Sequence, residues 1–541
     1  MPDAQATVKS GSQPKRDCWL GLTPIAANSP ASHVGVDYHS RGVVLVIGDG
    51  PPAAEPARQL AGRLKVVLFA PGIDAVTDLP ASIVKVGGRI ASVQGHLGDF
   101  SASVTVGLNE VRDAGIFSPN DDRQFDLVLD LGRVPRLRHT VAPFGYFAPG
   151  DSPEMLAQAL DAMPGMVGRF WKPRFSQYRA ELCTHGAMGI VGCKRCVDAC
   201  ACGAIQSTGE RIGVDTYLCQ GCGACTMACP TGALAFDESM ASDDRLRDAL
   251  DPVPGAAGGP WLVVAHDAAS RDKLAGIAAP NVRLIEVCSM PEFSETLWME
   301  ALARGASALV LVVDPATPPP TMNTLAGTVA QAQEILSAIG RAANAIALTT
   351  PGAAATTVSA LLRPGVATAP TIPARSDSKR ARLLAAIDAI PSTDRPPATR
   401  PLQAGASFGE VIVDIQGCTL CFACTSLCPT GALTRAGGTA AALMFQENLC
   451  VQCDLCRAGC PEKAISLGPR FVPARSEREA PRVLCRDEAV SCRCCGVPFT
   501  TSRMLAVSMA FVAAQKSLTM PGGTEALRQC PACRQQEILA H

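Results

Sequence analysis

Cysteine carries the chemistry in this sequence. Two runs share one spacing, Cys418-x2-Cys421-x2-Cys424-x3-Cys428-Pro429 and Cys450-x2-Cys453-x2-Cys456-x3-Cys460-Pro461. A third, Cys219-x2-Cys222-x2-Cys225-x3-Cys229-Pro230, repeats it, and a fourth, Cys183-x9-Cys193-x2-Cys196-x3-Cys200, departs from it at its first member and has Ala201 where the proline would stand. Thiolates gathered this way are ligands for soft metals, and triplets with a trailing Cys-Pro are iron–sulfur spacing. Structural zinc takes four ligands at a time and seldom shows such runs. Further along, Cys492-x2-Cys495 and Cys530-x2-Cys533 form two knuckles separated by an apolar helical stretch. Four thiolates of that kind suit one tetrahedral zinc with a structural role, a redox dithiol or free thiols being the alternatives.

Both cysteine-rich regions resemble bacterial-type 2(4Fe-4S) ferredoxin domains, including the Pro-Thr-Gly-Ala sequels at Pro230–Ala233 and Pro429–Ala432. In that family the fourth cysteine of each run ligates the cluster of the other run. The resemblance implies four clusters. Cluster I takes Cys183, Cys193, Cys196 and Cys229, and cluster II takes Cys219, Cys222, Cys225 and Cys200. Cluster III takes Cys418, Cys421, Cys424 and Cys460, and cluster IV takes Cys450, Cys453, Cys456 and Cys428. Cys183 must reach cluster I across an enlarged loop, Thr184–Gly192, and Cys202 is a nearby alternative. Sixteen such ligands and four at zinc account for 20 of 25 cysteines, leaving Cys18, Cys202, Cys288, Cys485 and Cys494. The seven histidines are scattered, and no grouping suited to bond-making catalysis remains.

The elements that must hold these thiols read as a multidomain α/β and α+β chain. At 541 residues it exceeds one core. Residues 1–40 form an extension. Residues 41–150 read as a degenerate Rossmann-like α/β domain, with buried strands at Val43–Ile47 and Lys65–Phe69 and a turn into a helix between them. That turn, Gly48-Asp49-Gly50-Pro51-Pro52-Ala53, matches G-x-G-x-x-A, which makes Gly48 and Gly50 a candidate dinucleotide site for FAD or NAD(P). Its prolines remove N–H donors, and the second strand lacks a following acidic residue for ribose. Ferredoxin domain 1 is expected over 176–242 and ferredoxin domain 2 over 406–470. Between them lie a second α/β domain over 256–363 and a linker over 364–405 with one helical piece, Lys379–Ile390. A zinc-ribbon-like module is expected over 480–541.

The stretch from Val282 to Val313 is similar to the D subunit of methyl-viologen-type hydrogenases, which works beside heterodisulfide reductases and carries a small iron–sulfur centre. That centre needs several thiolates. This domain holds only Cys288, so the activity is not carried over. The overall layout resembles iron–sulfur proteins that accompany heterodisulfide-reductase-like or formate dehydrogenase systems.

A formal net charge of −1 gives no basic surface for nucleic acid. The longest apolar runs, Ser307–Val313 and Met504–Ala514, fall short of the ~18 residues that cross a bilayer. The first 30 residues have no signal-peptide core and no twin-arginine pair. Unoxidised thiols and that N-terminus lead us to expect a reducing, cytoplasmic setting without direct membrane insertion. The expected function is an electron-carrier subunit without its own catalytic site, passing electrons between a dehydrogenase- or reductase-type protein partner and an acceptor. A flavin- or NAD(P)-dependent oxidoreductase and an assembly or scaffold factor are the alternatives.

Overall fold

The computed structural model describes residues 23–24, 35–106, 110–236, 243–250, 260–277, 279–362, 371, 376, 378–392, 395–436, 440–514 and 523–539. Cys18 and most of the N-terminal extension lie outside them.

The first unit is built on the run Val43–Ile47, whose five residues are all buried. Val44 and Val46 enter one core with Leu60 and Met163, while Val43, Leu45 and Ile47 enter another with Phe100 and Phe125. A strand covered on both faces has no polar side, which is why the sequence there does not alternate. It is the centre of a five-stranded sheet ordered Tyr146–Phe147, Leu127–Asp130, Val43–Ile47, Lys65–Phe69, Val84–Val86, with every pairing parallel. An antiparallel sheet of Arg89–His96, Asp99–Val106 and Glu110–Asp113 covers one face. The unit extends past residue 150. Gly168–Pro173 pairs antiparallel with Gly35–Ser40, a strand within the expected extension, because Val36, Tyr38 and Ser40 alternate inward.

The second parallel sheet is ordered Val282–Val287, Trp261–Asp267, Ala306–Val312, Ile346–Thr349. Its first strand in the chain lies inside, so the connections leave it in opposite directions. Helices Glu295–Ala303 and Pro319–Ala338 cover one face and Ala354–Leu361 the other.

Between and beside these sheets lie two smaller units of similar plan, each with two short helices. The first has helices Arg195–Asp198 and Ala224–Ala228 and the strand pairs Ser176–Tyr178 with Leu234–Phe236 and Ile205–Ser207 with Ile212–Val214. The other has helices Ala423–Ser426 and Leu455–Ala458 and the pairs Gly409–Val413 with Ile465–Phe471 and Leu433–Ala436 with Ala440–Phe445. The last of these strands also pairs with Arg482–Ser491, which pairs with Pro498–Thr501. The C-terminal module therefore continues the sheet of the unit before it.

The helical piece expected within the linker over 364–405 is present at Lys379–Ala389, but it is packed into a core instead of serving as a connector. This is a helix with Leu383, Leu384, Ala386 and Ile387 in the core of the second α/β unit. Apolar residues at i, i+1, i+3 and i+4 give it one face to bury. It begins on the N-cap hydroxyl of Ser378, which accepts from Ala381 N at 3.3 Å.

Candidate metal centres

The thiols of the two smaller units gather in sets, and the electrostatics of each set identifies its members. Burial first, then the sulfurs of Cys193, Cys229 and Cys183, push the Cys196 thiol up to about 12. Cys225 is driven up by burial and then by Cys219, Cys222, Cys200 and Cys196. Burial, then Cys421, Cys418 and Cys460, push Cys424 up to about 12. Cys456 is raised by burial and by Cys453, Cys450, Cys428 and Cys424. In each set a cysteine from the opposite run stands among the neighbours. Four buried thiols held together repel one another as anions, so they ionise together only when a cation lies between them.

These neighbours also order the sets in space. Cys196 of set I is among the neighbours of Cys225 in set II, and Cys424 of set III is among those of Cys456 in set IV. Burial, with Cys428, Cys450 and then Cys193 of set I as raising neighbours, pushes Cys453 of set IV up to about 12. Set II thus adjoins set I, set I adjoins set IV, and set IV adjoins set III.

The enlarged loop after Cys183 makes the central junction. Gly186–Ala187 pairs with Ile190–Val191 in a small hairpin whose turn residues, Met188 and Gly189, both have positive φ, as a two-residue hairpin turn requires. His185 Nδ1 lies 2.7 Å from the carbonyl oxygen of Cys193, and Nε2 lies 2.8 Å from Ser207 Oγ. The hairpin faces the other unit. A Cβ on Gly192 would lie 2.6 Å from the carbonyl oxygen of Cys453, and one on Gly459 would lie 2.8 Å from Ile190. Arg195 closes the same junction, donating to the carbonyls of Val451 at 3.0 Å, Gln452 at 3.3 Å and Ala406 at 3.1 Å, with Cys193 Sγ at 3.8 Å.

A cation stands at every set. Fully buried Lys172 donates to the carbonyls of Tyr217 at 2.7 Å and Cys219 at 2.6 Å, and burial lowers its pKa to about 8. Lys379 donates to Thr226 O at 2.7 Å and Cys229 O at 2.8 Å. Arg380 donates to Cys450 O at 2.8 Å while lying 3.7 Å over the Phe408 ring. Arg503 reaches Cys418 O at 3.4 Å. Charge buried as at Lys172 and Arg380 is costly unless negative charge lies close by. Sequence reading did not single out these residues, because their helices and strands are far from the cysteines along the chain.

Cys202 joins set II rather than set I. Its Sγ is 3.7 Å from that of Cys200, and this contact, ahead of burial and the nearby Cys219 and Cys222, drives it well above the usual thiol range. Cys485 is the corresponding spare beside Cys418 of set III. Cys494 is exposed, and Cys288 follows the Val282–Val287 strand with its N–H on Glu292 Oε2 at 2.9 Å.

Cys492, Cys495, Cys530 and Cys533 have sulfurs all within 4.8 Å of one another, alone in this among the described residues as a group of possible ligands to one ion. The first pair sits in the turn between Arg482–Ser491 and Pro498–Thr501, and Cys530 precedes helix Pro531–Leu539. Backbone N–H groups, that of Cys495 foremost, lower Cys492 to about 6, and those of Cys530 and Cys494 lie 3.2 Å and 3.4 Å from its sulfur. Cys495 and Cys530 are 3.8 Å apart, which is about the edge of a tetrahedron with Zn–S bonds near 2.3 Å.

The turn at Gly48 and Gly50 is built differently from a phosphate cradle. Pro51–Ala53 forms a single 3-10 turn before the short helix Ala54–Leu60. A Cβ on Gly48 would lie 2.2 Å from that of Ala53, so the glycine allows strand and turn to approach. The Asp49 carboxylate is held by Arg136 at 2.8 Å, which also bonds Asp130 at 2.8 Å.

Residues 212–235 match the family model described as "4Fe-4S binding domain". The chain is also similar to a protein of Methanosarcina acetivorans that is named as a component of an ion-translocating oxidoreductase complex, 40% identical over 47 residues. That match spans 9% of this chain and 18% of the relative. Together with the thiol geometry, these likenesses support a ferredoxin-type iron–sulfur protein that binds 4Fe-4S and serves electron transfer. No helix among the described residues is long and apolar enough to cross a membrane.

Proposed function

We propose that the chain is an electron-transfer subunit carrying four 4Fe-4S clusters in the file II, I, IV, III, with a structural zinc at Cys492, Cys495, Cys530 and Cys533. Two ferredoxin-like domains hold the clusters, flanked by a Rossmann-like and a second α/β domain and closed by a zinc-ribbon-like module. The observation that carries this reading is the four thiol sets, each adjoining the next through neighbouring sulfurs. A cubane spreads its four ligands wider than one ion does. The sixteen thiols of the smaller units form no group within 4.8 Å, whereas the C-terminal four do. The same difference separates clusters from zinc.

The residues around each set have definable tasks. Thiolates hold the irons, backbone N–H groups on the sulfurs favour the reduced form, and the neighbouring cations balance charge. When bound, each cluster supplies one-electron redox chemistry. The likeness to a component of an oxidoreductase complex extends the proposal to membership of a multi-protein redox assembly, with a dehydrogenase- or reductase-type partner on one end of the file and an acceptor on the other. At the set III end Cys421 is exposed, so exchange with a partner is expected there.

Reductive titration of anaerobically prepared protein, followed by reoxidation, tests the function. We expect reversible bleaching of the cluster absorbance over repeated cycles. Clusters that fail to return would favour a scaffold role. Cys533→Ser should release zinc and leave the iron in place, and loss of both together would contradict the separate assignment.

A further inference from the structure

The carboxyl ends of the second parallel sheet face set II across a cavity of about 300 Å³. Three consecutive strands deliver its walls. Asp267 ends Trp261–Asp267, Ser289 follows Val282–Val287, and Val313 and Asp314 follow Ala306–Val312. Because Trp261–Asp267 lies between the other two, this is the point where the strand order reverses, and a parallel sheet opens there into a crevice. Cys222 of set II lines the opposite side with Cys202 and Gln220. Two hydrogen bonds tie the walls together. Ser289 Oγ donates to the Cys222 carbonyl, and Thr321 Oγ1 lies 4.0 Å from Cys222 Sγ.

The lining defines what fits. Met290, Pro291, Pro318 and Leu325 offer apolar walls, and Thr140, Thr317 and Gln220 offer polar edges. Asp267 and Asp314 place two carboxylates at the strand ends, each ordered by a backbone N–H, that of Ser270 at 3.0 Å and that of Ala316 at 2.7 Å. Two carboxylates repel phosphate and accept from N–H or O–H groups. A concave apolar slot with a few converging polar groups is the usual form of a small-molecule site.

We infer that this cavity binds a planar, redox-active heterocycle that carries N–H or O–H groups at its edge and no phosphate, and that it exchanges electrons with cluster II. The site rests on the cluster reading above and lies apart from the Gly48 turn. Two electrons arrive singly through cluster II, and two protons come from water. The ring is reduced to its dihydro form, and the clusters are oxidised by two electrons in all. The reverse reaction loads the file with electrons.

Riboflavin is the probe and its phosphate, FMN, the contrast, added anaerobically to full-length protein whose iron content has first been measured. Riboflavin fluorescence should be quenched at least tenfold more tightly than that of FMN, and Thr317→Trp, which fills the cavity, should abolish the quenching. Asp314→Lys should erase the preference by letting FMN bind. Photoreduced protein freed of reductant should bleach bound riboflavin. Equal binding by wild type and Thr317→Trp, or equal binding of the two flavins by wild type, would overturn the site. Protein that takes up no iron would instead overturn the cluster reading, before any flavin is added.

Discussion

In the regular runs, the residues second and fourth after the first cysteine all lie in the left-handed region. They are Leu420 and Phe422 (φ 56° and 61°), Gln452 and Asp454 (52° and 76°), and Gly221 and Gly223 (74° and 75°). The displaced run has no such pair, since Lys194 has φ −119° and the left-handed residues, Met188 and Gly189, sit in the hairpin turn instead. The left-handed backbone serves the sulfurs. The N–H groups of Leu420, Gln452 and Gly221 lower the pKa values of Cys418, Cys450 and Cys219 against the larger opposing effect of burial. Non-glycine residues there cost of order 1 kcal/mol each, held in place by the surrounding structure. The displaced run exchanges that arrangement for a hairpin that docks on the other unit. One region is thus built to solvate its sulfurs, while the other has given up part of that to bring sets I and IV together.

The comparison breaks most visibly at the displaced ligand. Cys183→Ser should remove a whole cluster, lowering iron by about four per chain, whereas Cys202→Ser should leave iron unchanged. The reverse result would assign Cys202 to cluster I. Gly192→Leu comes next, because its side chain would meet the Cys453 carbonyl, 2.6 Å from the first added carbon. We expect iron to be retained while magnetic interaction between clusters I and IV weakens in the EPR spectrum of the reduced protein. An unchanged spectrum would place the junction elsewhere.

A finer consequence concerns potentials. The displaced run lacks the backbone N–H that a regular run directs at its first sulfur and has Arg195 Nη1 at 3.8 Å from Cys193 Sγ instead. In Arg195→Met, with neither donor, cluster I should titrate below clusters III and IV by about 60 mV, taking ~1.4 kcal/mol for the missing bond. A potentiometric titration monitored by EPR reads this, and a cluster I at or above the others would sink the argument. The smallest effect concerns strain alone. Exposed Lys463 has φ 53°. Lys463→Gly should raise stability by about 0.5 kcal/mol, seen as a shift in denaturant midpoint, since relief of the left-handed cost slightly exceeds the added chain entropy.

The sequence made some of this legible and hid the rest. Cysteine spacing is local, so the triplets and the C-terminal knuckles could be read directly, and continuous apolar runs such as Val43–Ile47 signalled strands covered on both faces. What brings Lys172, Lys379, Arg380 and Arg503 to the sulfurs is tertiary pairing over long separations, which spacing does not encode. The helical piece at Lys379–Ala389 was legible, but its burial was hidden for a related reason. Its Pro-, Ala- and Ser-rich surroundings read as a connector, and its burial depends on helix Glu295–Ala303, far away in the chain. The loop after Cys183 was legible as an irregularity, but its partner, the Cys453 segment, was not.

The most direct test of the account is the metal and sulfide content of anaerobically reconstituted full-length protein, read together with its reduced EPR spectrum. Four neighbouring 4Fe-4S clusters and one zinc give about sixteen irons, an equal amount of acid-labile sulfide, one zinc, and signals broadened by interaction among the clusters. Fewer than about twelve irons per chain, or signals of isolated clusters without interaction, would contradict a file of four.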